Sequence, residues 1–360
     1  MIAVILGTRP EIIKMAPVIR ACEKKGADYF VLHTGQHYDY EMDKVFFKEL
    51  ELKPESVNLD VGSGSHGEVT GKMLMGIERA LMERNPETVL VQGDTNTVVA
   101  GSLAAVKLHK SIGHVEAGLR SYDREQPEEY NRIIADHISS HLFAPTERAE
   151  KILLDEGLPR ERIFLTGNTI VDAVLQNLEI ARKRSDILTN FNLQKDGYFL
   201  VTAHREEIVD YRDRFTAVLE GLKKVSEKYG LPMIFPMHPR TRKRIRELGL
   251  DSHVKAIKNL KITQPLGFLD FLMLEANARL VLSDSGGVVE EACILRVPCV
   301  SMRNRTDRQE SIDAGASLLS GTDREMILKS AEEMLARKRN WKNPFGDGKA
   351  GEKIVQIVGE

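Results

Sequence analysis

Short apolar runs alternate with longer amphipathic stretches along all 360 residues of this chain, and that alternation constrains the fold more than any single motif. The runs of the first half are Ile2–Leu6, Tyr29–Thr34, Thr88–Gln92, Ile112–Val115, His141–Ala144 and Ile163–Thr166. The second half repeats the scheme with Tyr198–Thr202, Met233–Phe235, Leu260–Ile262, Leu280–Ser283, Pro298–Ser301 and Ser317–Leu319. Runs this short and apolar read as strands. The stretches between them carry helical spacing, as in Ile12, Met15, Ala16 and Ile19 after Pro10. Pro17 is expected to kink that first helix. Alternating β and α elements form parallel sheets covered by helices on both faces, so the expected class is α/β with two doubly wound domains.

The length fits two cores rather than one. The polar helical stretch Thr166–Asp196 reads as the crossover between them. Near the end, Asn343-Pro344-Phe345-Gly346-Asp347-Gly348 breaks the pattern before a short closing helix. Hydrophobic residues at 42% and charged residues at 29% are the balance of a soluble globular protein. A formal net charge of −2 argues against a broad nucleic-acid surface but leaves room for a local anion site. The opening MIAVILGTRP has too short an apolar run and no basic lead for a signal sequence, and no stretch reaches the roughly 18 apolar residues of a membrane span. Cys22, Cys293 and Cys299 lack metal-ligand spacing and read as buried, reduced thiols of a cytoplasmic protein.

Ligands of open α/β sheets bind beyond the carboxyl ends of the strands. Polar residues cluster there: Thr8-Arg9-Pro10, Gly93-Asp94-Thr95, Glu116, His204-Arg205, His238-Pro239 and Asp284-Ser285-Gly286-Gly287. In DSGGVVEEA (Asp284–Ala292) a strand leads through Ser285, Gly286 and Gly287 into a helix, where backbone amides attract phosphate. No GKS or GKT follows and the spacing is not GxGxxG, so neither an NTPase loop nor a dinucleotide site is indicated. Glu291 lies about one turn into that helix, placed to accept from ribose hydroxyls, and Arg9, Lys14 and Arg308 are available anion partners. The acid–base candidates are Asp94, Glu116, Glu128, Glu129, His204 and His238. Asp94 has an alternative as a helix cap, and Glu128 and Glu129 as acids favouring a helix dipole. No HExxH, paired CxxC or calcium-loop spacing is present, so no metal and no NAD are expected.

Taken in order, GTRPEIIKMAP, TGQH, QGDTNT, GHVEAGLR, PEEYNR, APTE, TGNTIVDA, VTAHRE, HP, DSGGVVEEA and NPFGDG span nearly the whole chain and resemble the non-hydrolysing UDP-N-acetylglucosamine 2-epimerases. The resemblance implies two Rossmann-like domains facing a cleft in the GT-B arrangement, here residues 1–167 with 345–360 and residues 168–344. It implies a diphosphate cradle of Arg9, His204, Ser285, Gly286 and Gly287, with His238 also binding substrate, Arg308 near the nucleotide and Glu291 on the ribose. Lys14, Asp94, Glu116, Glu128 and His204 resemble the groups around the sugar that drive catalysis. Gln36 and His37 match a segment implicated in a second, activating UDP-N-acetylglucosamine site. Lys72 stands where the family often has arginine, and lysine cannot reproduce a bidentate guanidinium contact. The resemblance also implies a homodimer and a product, UDP-N-acetylmannosamine, destined for surface polysaccharide or glycan.

Loss of UDP from C1 would develop positive charge beside C2 and acidify its hydrogen. A carboxylate would then take that proton, and return of proton and UDP would invert C2, with Asp94, Glu116 and Glu128 expected to share the transfers. The rivals are a glycosyltransferase of the same architecture, a hydrolysing 2-epimerase and a non-catalytic UDP-sugar sensor.

Overall fold

The computed structural model of the protein describes residues 1–35, 46–306 and 308–359. It divides into two compact units, Met1–Gln176 with Phe345–Glu360, and Asn177–Pro344. The boundary falls within the helix Thr169–Arg184, the main helix of the expected crossover.

Unit 1 holds one parallel sheet of β1 (Ile2–Leu6), β2 (Tyr29–His33), β3 (Val57–Asn58), β4 (Thr88–Gln92), β5 (Ser111–Val115), β6 (His141–Ala144) and β7 (Ile163–Leu165). Its strand order is β3-β2-β1-β4-β5-β6-β7. Unit 2 holds β8 (Phe199–Thr202), β9 (Met233–Pro236), β10 (Leu260–Thr263), β11 (Leu280–Ser283), β12 (Cys299–Ser301) and β13 (Ser317–Leu319), ordered β10-β9-β8-β11-β12-β13. Every recorded strand pairing in both sheets is parallel. The α/β, doubly wound reading is therefore what the chain adopts. The two-residue β3 had no apolar run to announce it.

Strand periodicity explains how each sheet serves two cores. In unit 2, Phe199 and Val201 pack with Phe235, Leu280 and Leu282 on one face. The intervening Leu200, with Ile234, Val281 and Cys299, packs on the other. Unit 1 buries Ala3, Ile5, Val89 and Val91 against Met73 and Ile77 of the helix His66–Arg84.

The helix Arg9–Lys25 continues through Pro17 rather than breaking there. Proline removes one helical N–H, and burial of Pro17 offsets that loss. A Cβ on Gly351 of the closing helix Ala350–Val358 would lie 2.8 Å from the Pro17 backbone, so glycine permits this approach. Asp172 accepts from the amides of Ala350 (3.2 Å) and Gly351 (2.9 Å) and caps the returning helix from a distant part of the sequence.

Candidate functional site

In both sheets the strand order reverses beside the first strand: between β1 and β4 in unit 1, and between β8 and β11 in unit 2. Ligands of this fold bind at that switch point. Thr8-Arg9 and Gly93-Asp94 leave β1 and β4, while Ala203-His204-Arg205 and Asp284-Ser285 leave β8 and β11. Four of the six strand ends picked out in the sequence thus lie at the switch points, and Glu116 and His238-Pro239 follow the neighbouring strands β5 and β9.

Glu116 is the centre of the unit 1 cluster. Its side chain is only 3% exposed and accepts from Lys14 Nζ at 2.7 Å on Oε1 and 2.8 Å on Oε2. Gln92 Nε2 donates to Oε2 and Asn168 Nδ2 to Oε1 at 3.1 Å. Lys14 was expected as a phosphate partner as well as a catalytic group; here its ammonium is engaged by Glu116. The Glu116 backbone has φ 69°, the left-handed region that side-chain-bearing residues rarely occupy. Strain of about 1–3 kcal/mol at such a residue persists only where the surroundings over-determine it.

Those surroundings are a buried charge network that the sequence reading missed. His114 Nδ1 meets Asp136 Oδ1 at 2.7 Å and its Nε2 meets the Gly93 carbonyl at 2.8 Å. Both partners are acceptors, so both ring nitrogens donate and the imidazole is held as imidazolium. Burial acts to lower the His114 pKa, but the Asp136 carboxylate outweighs it and the net shift is upward. Burial likewise pushes Asp136 up, and His114 and Arg120 overcome it to hold the carboxyl below its ordinary range. Arg120 reaches Asp136 at 2.7 Å, and the Gly118 amide donates to the same oxygen at 3.1 Å. His114 therefore ties the strand that leads into Glu116 to the turn that carries Asp94.

Asp94 does not cap the following helix: Thr95 is the N-cap of Asn96–Lys107 and makes no side-chain cap. Instead Asp94 Oδ2 is bound by Arg132, through Nε at 3.0 Å and through Nη2. Arg132 also reaches Glu129 at 3.0 Å, and Glu129 accepts from the amides of Ser121 and Tyr122 at 2.9 Å each. Burial opposes ionisation of Glu129, but these donors outweigh it and its pKa falls. Glu129 is thus occupied in holding the loop, whereas Glu128, beside it at the start of the helix Pro127–Ile138, is exposed.

The two switch points differ in what their helix starts can offer. In unit 1 the amides of Gly7 and Thr8 donate to Glu11 at 2.8 and 2.7 Å, closing that end with the protein's own carboxylate. Arg9 lies half-buried, its guanidinium 5.1 Å from the centre of the Phe46 ring. In unit 2 the helix Gly286–Leu295 starts after Ser285, which makes no side-chain cap, so first-turn amides remain available to an anion. Buried Asp284 accepts from the amides of His204 (2.6 Å) and Arg205 (2.8 Å) and lies 3.3 Å from His204 Nδ1. His238 Nδ1 accepts from the Arg240 amide at 3.2 Å, which leaves the proton of the neutral ring on Nε2. Burial, then His204 and Arg240, hold its pKa below the usual value. Between these histidines is a cavity of about 230 Å³, lined also by Phe271, Leu266 and Val288.

Of the paired acids in DSGGVVEEA, Glu290 is the buried one, and it meets Arg308 Nε at 2.9 Å. Glu291, read as the ribose acid, is half-buried beside the carboxyl group of Glu275, a residue the sequence did not suggest. Lys72 is exposed and paired with Glu68 at 2.7 Å, and Gln36 and His37 lie outside the described residues. Cys22, Cys293 and Cys299 are buried free thiols. Among the described residues no group of three or more His, Cys, Asp or Glu side chains is placed to hold a metal ion, and no helix is long and apolar enough to cross a membrane.

Comparison with known proteins gives this arrangement its family. Residues 20–359 match the model of the UDP-N-acetylglucosamine 2-epimerases. The UDP-N-acetylglucosamine 2-epimerase of Methanocaldococcus jannaschii is 54% identical over 99% of this chain and 98% of its own length. The protein of the same name from Methanococcus maripaludis is 52% identical over the same shares. A crystal structure of the M. jannaschii protein in complex with UDP-GlcNAc and UDP has a TM-score of 0.90 to this one, at 54% identity and covering 99% of each chain. With the family model spanning most of its length and such identity running end to end, the chain belongs to the UDP-N-acetylglucosamine 2-epimerase family.

Proposed function

We propose that this protein interconverts UDP-N-acetylglucosamine and UDP-N-acetylmannosamine by elimination and re-addition of UDP, with no redox cofactor or metal. The substrate is supported by full-length identity of 54% to an epimerase of that name. The structural observation that carries the mechanism is Glu116, a buried carboxylate held in strained backbone after β5 and bound by Lys14 and Gln92 from the elements beside the unit 1 switch point.

The C1–O bond breaks with its electron pair leaving on UDP, while a carboxylate takes the C2 proton and the C1–C2 double bond forms. Glu116 and Asp94 are the proton-transfer groups, with Glu128 as a third acid, and the product is an enzyme-bound 2-acetamidoglucal. Lys14 holds the Glu116 carboxylate in position and stabilises its charge. Amides at Gly286 and Gly287, with Ser285, His204, His238 as an Nε2–H donor, Arg9 and Arg308, offset the charge that develops on the diphosphate. Proton delivery to the opposite face of C2, followed by UDP addition at C1, gives the manno isomer. The protein works as a homodimer and supplies polysaccharide or glycan synthesis. Light scattering of the purified protein tests the first of these assignments.

NMR of UDP-N-acetylglucosamine with the protein in deuterated water, without an acceptor, tests the reaction. The expected result is the manno isomer with deuterium at C2 and no accumulation of free UDP. Free UDP rising in step with free N-acetylmannosamine would establish the hydrolysing reaction instead, and binding with no C2 exchange would leave only a sensor.

A further inference from the structure

Glu275 sits on the helix Phe268–Asn277 with no exposed surface. Among the described residues no N–H or O–H donor reaches either of its carboxyl oxygens. Its polar neighbour is the carboxyl group of Glu291 on the helix Gly286–Leu295. The Cys299 thiol and the Tyr198 phenol also lie within electrostatic range of it. Burial holds Cys299 on β12 protonated and pushes Cys293 up to about 12. Tyr198, at the start of β8, donates its hydroxyl to the Leu274 carbonyl at 2.5 Å.

Two ionised carboxylates in contact, one fully buried and without a cation, would cost several kcal/mol. Such pairs keep one proton between them. Burial, and then the charge of Glu291, hold the Glu275 carboxyl well above the usual carboxylate range, which places the proton on the deeper group. A protonated carboxyl is a hydrogen-bond donor, and Glu291 is the acceptor beside it.

We propose that Glu275 is a positioning residue for nucleotide recognition: as a neutral carboxylic acid it donates a hydrogen bond to Glu291 and fixes that carboxylate to accept from a ribose diol. This rests on the reading of Glu291 as the ribose acid. A proton on Glu275 turns what would be a like-charge contact into a hydrogen bond that engages Glu291 from below. An ionised Glu275 would repel Glu291, and an apolar residue at 275 would offer it no hydrogen bond.

The test compares binding of UDP with that of 2′-deoxy-UDP, because a loss of packing weakens both alike while a loss of ribose reading changes their ratio. Glu275→Leu removes a buried carboxyl without opening a large void and should fold. Its preference for UDP should drop about tenfold, the worth of one hydrogen bond to a charged group. Glu275→Gln, whose amide can donate to Glu291, should restore it. Glu291→Ala should abolish the preference by itself. If Glu291→Ala does and Glu275→Leu does not, the positioning role is wrong although the ribose reading stands. If Glu291→Ala leaves the preference intact, the ribose reading falls and takes the proposal with it. Infrared spectroscopy of the unliganded protein at neutral pH decides the proton separately: a carbonyl stretch of a neutral carboxylic acid should be present and should vanish in Glu275→Leu. Its absence from the wild-type protein overturns the proposal.

Discussion

At the residue scale, the unit 1 cluster makes opposite demands on neighbouring acids. Glu129 is satisfied by loop amides and Arg132, Asp94 is bound by Arg132, and Glu116 is matched to Lys14. If Glu116 carries proton transfer, Glu116→Gln should slow solvent-deuterium exchange at C2 by about 10²–10⁴-fold while UDP still binds; exchange at the wild-type rate would remove Glu116 from the mechanism. His114 gives a prediction with a definite sign. Its folded pKa is raised, so the stabilisation is complete below the ordinary imidazole value of about 6.5 and is lost as pH rises through the higher folded value. Melting temperature should fall as pH rises through that window, and His114→Gln, which does not titrate, should flatten this part of the curve. Parallel curves for the two proteins would refute it. Little of this was legible beforehand. The words QGDTNT, GHVEAGLR and PEEYNR contain Gln92, His114 and Arg132, but what these side chains bind is set by pairings such as Lys14 with Glu116, 102 positions apart. Spacing along a chain carries no information about contacts that only the sheet order creates.

Elements were far easier to read, because burial on both faces of a parallel sheet leaves an unbroken apolar run for each central strand. Ile2–Leu6, Thr88–Gln92, His141–Ala144 and Leu280–Ser283 are found with the bounds their runs implied. The edge strand Val57–Asn58 escaped because two half-buried residues make no run. Pro17 stays within its helix although proline is a poor helix former, because propensity describes an isolated helix and packing against the returning helix overrides it. That packing depends on Gly351. Gly351→Ala would drive a Cβ to 2.8 Å from the Pro17 backbone and should cost about 1–3 kcal/mol, read as a lower midpoint in urea unfolding. An unchanged midpoint would mean that the two helices separate without loss.

At the scale of the whole molecule, each unit carries its own two-faced core, and Phe345–Glu360 belongs to the unit that also holds the amino terminus. Ending the chain at Pro344 removes Phe345, Ile354 and Val355 from that core and leaves the caps on Asp172 unmade. Calorimetry should then show a transition for unit 1 at markedly lower temperature and one for unit 2 little changed; equal shifts in both would contradict the division. The same connectivity bears on synthesis. A ribosome delivers every residue of Asn177–Pro344 before it releases Phe345, so the second unit can finish while the first still waits for the segment that completes it.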